Sequence, residues 1–240
     1  MELKLALLFM LICGGAAYAS DPDSGISRAL AKQRKASYSE VTYNLRVKLA
    51  GSVLQGQEEI ELKLSEGAQE LILDWRPTSS ASKVSNPRLD GEPLSEDEYT
   101  LINEHIVIRS KRLRPGAHRV HLSFESPISP SGSGVTSYSD KDDGSEYVYT
   151  LLVPSDASTV FPCFDQPDLK ARFKLSVTVP EGWIVVANGA ETSHEISNEQ
   201  ATFTFAETEP ISTYLFAFAA GPFAVLKDDS SATHLFVRRS

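Results

Sequence analysis

Hydrophobic positions in this chain recur mostly with a period of two. Val41, Tyr43, Leu45, Val47 and Leu49 alternate with polar neighbours, and Ile60, Leu62 and Leu64 alternate with Glu59, Glu61 and Lys63. Successive side chains of an extended strand point to opposite faces, so the pattern marks half-buried strands. The Ala50-Gly51 turn between the two runs makes them a hairpin. Residues 71–73 read as a short apolar strand stopped by Pro77. Residues 99–102 and 106–108 read as a pair around Asn103-Glu104-His105, and Val120, Leu122 and Phe124 alternate after a Pro115-Gly116 turn. Asp143-Gly144 is a hairpin signal ahead of a strand over 147–152. Further strand-like runs cover 173–179, 184–186, 201–205, 214–219 and 235–237, and residues 129–134 (SPSGSG) read as a loop. Only residues 27–36 (SRALAKQRKA) favour a helix, with Ser27 as its cap; being short and basic, it is expected as a single exposed helix docked on the domain. Many short strands with Gly and Pro turns predict an all-β fold of large, sandwiched or curved antiparallel sheets.

The first residues break this pattern. Lys4 precedes an apolar run over residues 5–12, and Ala17-Tyr18-Ala19 offers the small-x-small pattern cut by a signal peptidase. Residues 1–19 therefore read as a secretory signal, and the protein is expected to be exported, periplasmic or extracellular. The apolar run is far short of the ~20 residues a membrane span needs, so no span is expected once the signal is removed. The net charge of −9 argues against a nucleic-acid partner, which would require clustered Lys and Arg. One of the two cysteines, Cys13, lies in the signal; the other, Cys163, can form no intrachain disulfide without it and reads as a buried small apolar residue.

No catalytic set emerges from the residues themselves. The five histidines, 105, 118, 121, 194 and 234, include one close pair, His118 and His121, which a strand would aim to opposite faces. H-E-x-x-H is absent, since Ser197 and Asn198 follow His194-Glu195, and there is no G-x-S-x-G elbow, P-loop or G-x-G-x-x-G. Asp140, Asp142 and Asp143 resemble the start of a calcium loop, but Gly144 is misplaced and no spaced Glu completes it, so an acidic hairpin tip is expected.

The informative stretch is 150–173, TLLVPSDASTVFPCFDQPDLKARF. Phe161, Pro162, Cys163, Phe164, Asp165, Gln166 and Pro167, followed by Lys170-Ala171-Arg172-Phe173, resemble the F-P-C-[FW]-D-[EQ]-P…K-A-x-F signature of M1 zinc aminopeptidases. Tyr43-Asn44-Leu45 with Gly56, Leu113-Arg114-Pro115-Gly116 with Val120 to Phe124, and Ile211 to Phe218 with Gly221-Pro222-Phe223 resemble other family segments in the same order. The resemblance runs from about residue 38 to about residue 226 and implies an aminopeptidase N-like amino-terminal domain with saddle-like packed sheets. It divides the chain into a signal (1–19), a lead-in with a short helix (20–37), the β-domain (38–226) and the start of a connection to a catalytic domain (227–240).

In that reading the 161–167 signature is structural, because prolines around a buried thiol fix a rigid bend. Thr150, Leu151, Leu152 and Val153 are the residues expected to face substrate. The family usually reads T-Q-x-E there, with the Glu holding the free amino group of the substrate; Leu151 and Val153 stand at the Gln and Glu positions and offer an ammonium no hydrogen bond. The family's zinc helix lies downstream of the matched segments. The chain is accordingly expected to hold no metal, cofactor or catalytic residue of its own and to be inactive alone. It would cap the peptide cleft of an exported parent enzyme that binds zinc, with the catalytic domain of the same chain and peptide substrate as its partners. The alternative is a free-standing β-domain that binds peptides or a protein without catalysis.

Overall fold

The computed structural model describes residues 21–68, 70–227 and 234–239; the predicted signal lies outside them. Among the described residues one α-helix, α1 (Arg28–Ser37), precedes seventeen strands: β1 (Tyr38–Ala50), β2 (Val53–Leu64), β3 (Leu71–Asp74), β4 (Lys83–Leu89), β5 (Glu92–Pro93), β6 (Tyr99–Ile102), β7 (His105–Ile108), β8 (Gly116–Pro127), β9 (Val135–Ser139), β10 (Glu146–Thr150), β11 (Arg172–Pro180), β12 (Ile184–Ala187), β13 (Glu191–Ser197), β14 (Gln200–Phe205), β15 (Phe218–Gly221), β16 (Ala224–Lys227) and β17 (His234–Val237). The strands form an eight-stranded sheet in the order β13-β14-β11-β1-β2-β8-β4-β5, a four-stranded sheet β12-β15-β10-β9, a three-stranded sheet β3-β7-β6 and the β16-β17 pair. No helix among the described residues is long and apolar enough to cross a membrane.

The predicted hairpin is β1-β2, with Tyr43 opposite Ile60 and Val47 opposite Gly56. The large sheet departs from the antiparallel expectation at one place: β1 and β11 run parallel, Thr42 to Lys48 alongside Arg172 to Thr178, so the sheet is mixed. Its inner face and the inward faces of the four- and three-stranded sheets share one core, including Tyr43, Leu45, Ile60, Leu122, Leu73, Ile106, Val148 and Phe218. This is the all-β sandwich that the alternation predicted.

β3 and β7 are buried along their whole length. One face meets that core, and the other, through Ile72 and Val107, meets Leu30 of α1. Burial on both faces explains why these strands read as continuous apolar runs rather than alternating ones. Ser27 caps α1, accepting from Leu30 N at 3.1 Å. The helix docks on the domain as expected, and its docked face also carries Arg34, which is fully buried. Residues 214–219 are not one strand either; Thr213–Leu215 forms a 3₁₀ turn and pairing resumes at Phe218.

Candidate functional site

β10 lies between β9 and β15. Tyr149 pairs with Thr136 on one side and Ala219 on the other. Leu151 N donates to Gly134 O at 2.9 Å and extends the ladder one residue beyond the strand. Thr150 Oγ1 accepts from Phe218 N at 3.0 Å and so fastens β15. Alternation along this extended segment sends Val148 and Leu152 into the core, while Leu151 and Val153 are 56% and 60% exposed. Of the four residues expected to face substrate, Leu152 is therefore corrected: at 2% exposure it is a core residue. Leu151 and Val153 form the exposed pair beside half-open Tyr149.

The chain then turns through a 3₁₀ segment, Ala157–Thr159, into the Phe-Pro-Cys bend. Gly134 packs beneath that turn, where an added Cβ would lie 2.5 Å from Val160 Cγ2 and 2.6 Å from Thr159 Oγ1. A glycine here permits a close approach that any side chain would block.

The bend is held by backbone and side-chain bonds from five segments of the chain. Cys163 exchanges two backbone bonds with Asp74, at 2.6 and 3.1 Å. Phe164 N donates to Tyr43 Oη at 2.9 Å. Asp165 accepts from Ser158 N at 3.1 Å and from Thr213 Oγ1 at 2.9 Å. Gln166 Nε2 donates to the Ala31 carbonyl of α1 at 3.0 Å, and Ser212 Oγ donates to Pro167 O at 2.6 Å. Phe161 meets Tyr43, Phe173 and Phe216 edge-on, with centroids 5.3–6.3 Å apart. Burial pushes the Cys163 thiol well above its ordinary value, with Asp165 and Asp74 adding to the effect. A thiol kept protonated in the core is a packing group, not a nucleophile.

Beneath the bend lies a charged cluster that sequence reasoning missed. Arg34 of α1 grips Asp74 with two bonds, Nη2 to Oδ1 at 2.6 Å and Nη1 to Oδ2 at 2.8 Å. His105 Nδ1 lies 2.9 Å from Asp74 Oδ1, and Asp165 N donates to Asp74 Oδ2 at 2.8 Å. Burial alone would raise the Asp74 pKa, but the close His105 ring, then the charge and hydrogen bond of Arg34 and the Asp165 N–H, hold it below the ordinary carboxylate value. The one local signal was an acidic residue ending an apolar strand.

Among the described residues no group of three or more His, Cys, Asp or Glu is placed to hold a metal ion. His118 sits instead between Asp90 Oδ2 (2.8 Å) and the Arg114 carbonyl (2.7 Å), and His194 stacks on Phe203 with centroids 4.1 Å apart. A groove of about 860 Å³ opens elsewhere, lined by Trp75, Val84, Phe124 and residues 101–105, and shares no residue with 150–153.

Residues 37–215 match the family of peptidase M1 N-terminal domains. The chain is 29% identical over 206 residues to aminopeptidase N of Streptomyces lividans, covering 84% of this chain and 23% of that protein. It is 31% identical over 193 residues to a probable M1 family aminopeptidase of Encephalitozoon cuniculi (78% and 22%), and 27% identical over 202 residues to glutamyl aminopeptidase of Rattus norvegicus (79% and 21%). The match thus spans less than a quarter of the length of these relatives.

Proposed function

Because the chain belongs to the peptidase M1 N-terminal domain family, we propose that it is the non-catalytic β-domain of an exported M1-type aminopeptidase and caps the cleft in which the longer enzyme holds its peptide. The observation that carries this reading is the exposed pair Leu151 and Val153, presented just past the end of a strand that β9 and β15 flank on its two sides. The length of the relatives supports a catalytic domain as partner. The leader pattern at residues 1–19 supports export. Zinc would supply such an enzyme with a Lewis acid and a water of lowered pKa, but no donor set among the described residues fits it; its ligands would come from the catalytic domain.

The wall made by Leu151 and Val153 selects what the enzyme accepts. An apolar side chain gives an ammonium nothing to bond, and leaves it poorly solvated as the peptide docks. Peptides entering along this wall would be chosen by apolar contact rather than by their free amino group. Val153→Glu in the longer enzyme tests this. The expected result is a rise of about tenfold in kcat/KM for free-amino peptides relative to blocked ones, the equivalent of one charge-assisted hydrogen bond of about 1.4 kcal/mol. An unchanged ratio removes the proposed role of this segment.

A further inference from the structure

Residues 21–25 lie as a strap across the turn between β6 and β7. Asn103 Nδ2 donates to Pro22 O at 3.0 Å, Ser24 Oγ donates to Glu104 Oε2 at 2.5 Å, and Arg109 Nη1 meets Asp21 Oδ1 at 2.9 Å. The central contact is a buried imidazole. His105 Nε2 lies 3.0 Å from the Asp23 carbonyl and 3.1 Å from the Gly25 carbonyl. A carbonyl oxygen only accepts, so Nε2 must carry a proton. The other ring nitrogen, Nδ1, faces Asp74 Oδ1 at 2.9 Å, and that carboxylate is kept ionised by Arg34. Both nitrogens of His105 therefore look at acceptors. A neutral imidazole has one N–H and would set a lone pair against an oxygen, in a site only 2% exposed to water.

We infer that His105 is a doubly protonated latch that clamps residues 21–25 onto the β6–β7 turn, and that losing the Nε2 proton frees this strap while the sheets stay closed. Nε2 is the nitrogen that gives way, because Nδ1 keeps its proton beside an anion whereas Nε2 faces only neutral carbonyls. The groups around the ring are accounted for. Asp74 comes from β3 and Arg34 from α1. Glu104 is engaged by Ser24, and Glu70 and Asp21 are both held by Arg109. The bend contributes the Asp165 N–H to Asp74, while the Asp165 carboxylate is turned to Ser158 and Thr213. The only ionisable side chain of β6 is Tyr99 at its far end. Burial works against a charged ring, but the close contact and charge of Asp74 and the Asp23 carbonyl outweigh it, so the His105 pKa is raised above its ordinary value. A raised histidine pKa stabilises the latched form fully below 6.5 and loses that contribution as pH rises through the folded value. The same turn, residues 101–105, lines the 860 Å³ groove, so releasing the strap alters one of its walls.

The test is a pH titration of the full chain, following the two ring nitrogens of His105 by ¹⁵N NMR and the backbone ¹⁵N order parameters of residues 23–27 at each pH. Both nitrogens should be protonated below the ordinary histidine value of about 6.5, and the strap order parameters should fall from about 0.85 to below about 0.6 over the one to two pH units in which one proton leaves, with β1 and β2 unchanged. In His105→Gln, which can donate to a carbonyl but cannot titrate, the step should vanish. A singly protonated ring at low pH, strap order parameters indifferent to pH, or the same step in His105→Gln would each overturn the latch. If His105→Gln fails to fold, the two wild-type measurements decide.

Discussion

Asp74 and Glu58 are carboxylates carried into the same core, 4% and 1% exposed, and their surroundings are opposite. Asp74 meets Arg34, His105 and the Asp165 N–H, which come from α1, β7 and the bend. Glu58 sits on β2 between Leu45 of β1 and Leu122 of β8, and neither of its oxygens has a hydrogen-bond partner among the described residues. Burial pushes the Glu58 pKa well above its ordinary value, so it sits in the core uncharged. Asp74 stays ionised because its donors outweigh the burial that opposes it. A buried charge that arrives with its partners ties distant segments together; one without partners gives up its charge and ties nothing.

The largest effect is expected at Asp74. Arg34→Ala strands a buried carboxylate, and a loss of about 3–5 kcal/mol in urea unfolding at neutral pH is expected. Adding Asp74→Asn should restore part of it; a loss under about 1 kcal/mol, typical of an exposed pair, would mean that Asp74 carries no special burden. From the other side, Glu58→Leu should raise stability by about 1–3 kcal/mol, the cost of an unpartnered buried polar group. Its advantage should widen as pH rises above 4.5, because the unfolded chain then loses the Glu58 proton while the folded chain keeps it. Equal unfolding midpoints for the two proteins at acid and neutral pH would contradict the assignment. The smallest effect is expected outside the core: Leu151→Ser, on a side chain 56% exposed, should shift stability by no more than about 0.5 kcal/mol. A large loss there would show that Leu151 packs against this domain rather than facing outward.

Legibility followed the physics of each element. β1 and β2 could be read because one face is core and the other solvent, which writes a period of two into the residues. The 161–167 bend was readable as a rigid structural feature because two prolines fix its backbone. β13 was missed because it is an edge strand exposed along its length, with Ile196 its one large apolar residue. β4 was missed because it carries Pro87 at a register shift between Ser85 and Arg88. The parallel pairing of β1 with β11 leaves no local mark. The Arg34–Asp74–His105 cluster is equally silent, as its members come from three separate elements and each looks ordinary alone. At the candidate site, the resemblance pointed to all four residues 150–153, and it is the alternation seen in the structure that separates exposed Leu151 and Val153 from buried Leu152.

The parallel seam also constrains the order in which the molecule can be put together. β1 can zip to β2 as soon as residue 64 has been made, but its other edge has no mate until the stretch from Arg172 exists. Between residue 64 and residue 172, then, a nascent chain carries a thirteen-residue strand with one row of amides and carbonyls open to any other extended chain. Closure of the large sheet is a long-loop event and correspondingly slow, so crowding among half-made copies is the hazard this topology builds in.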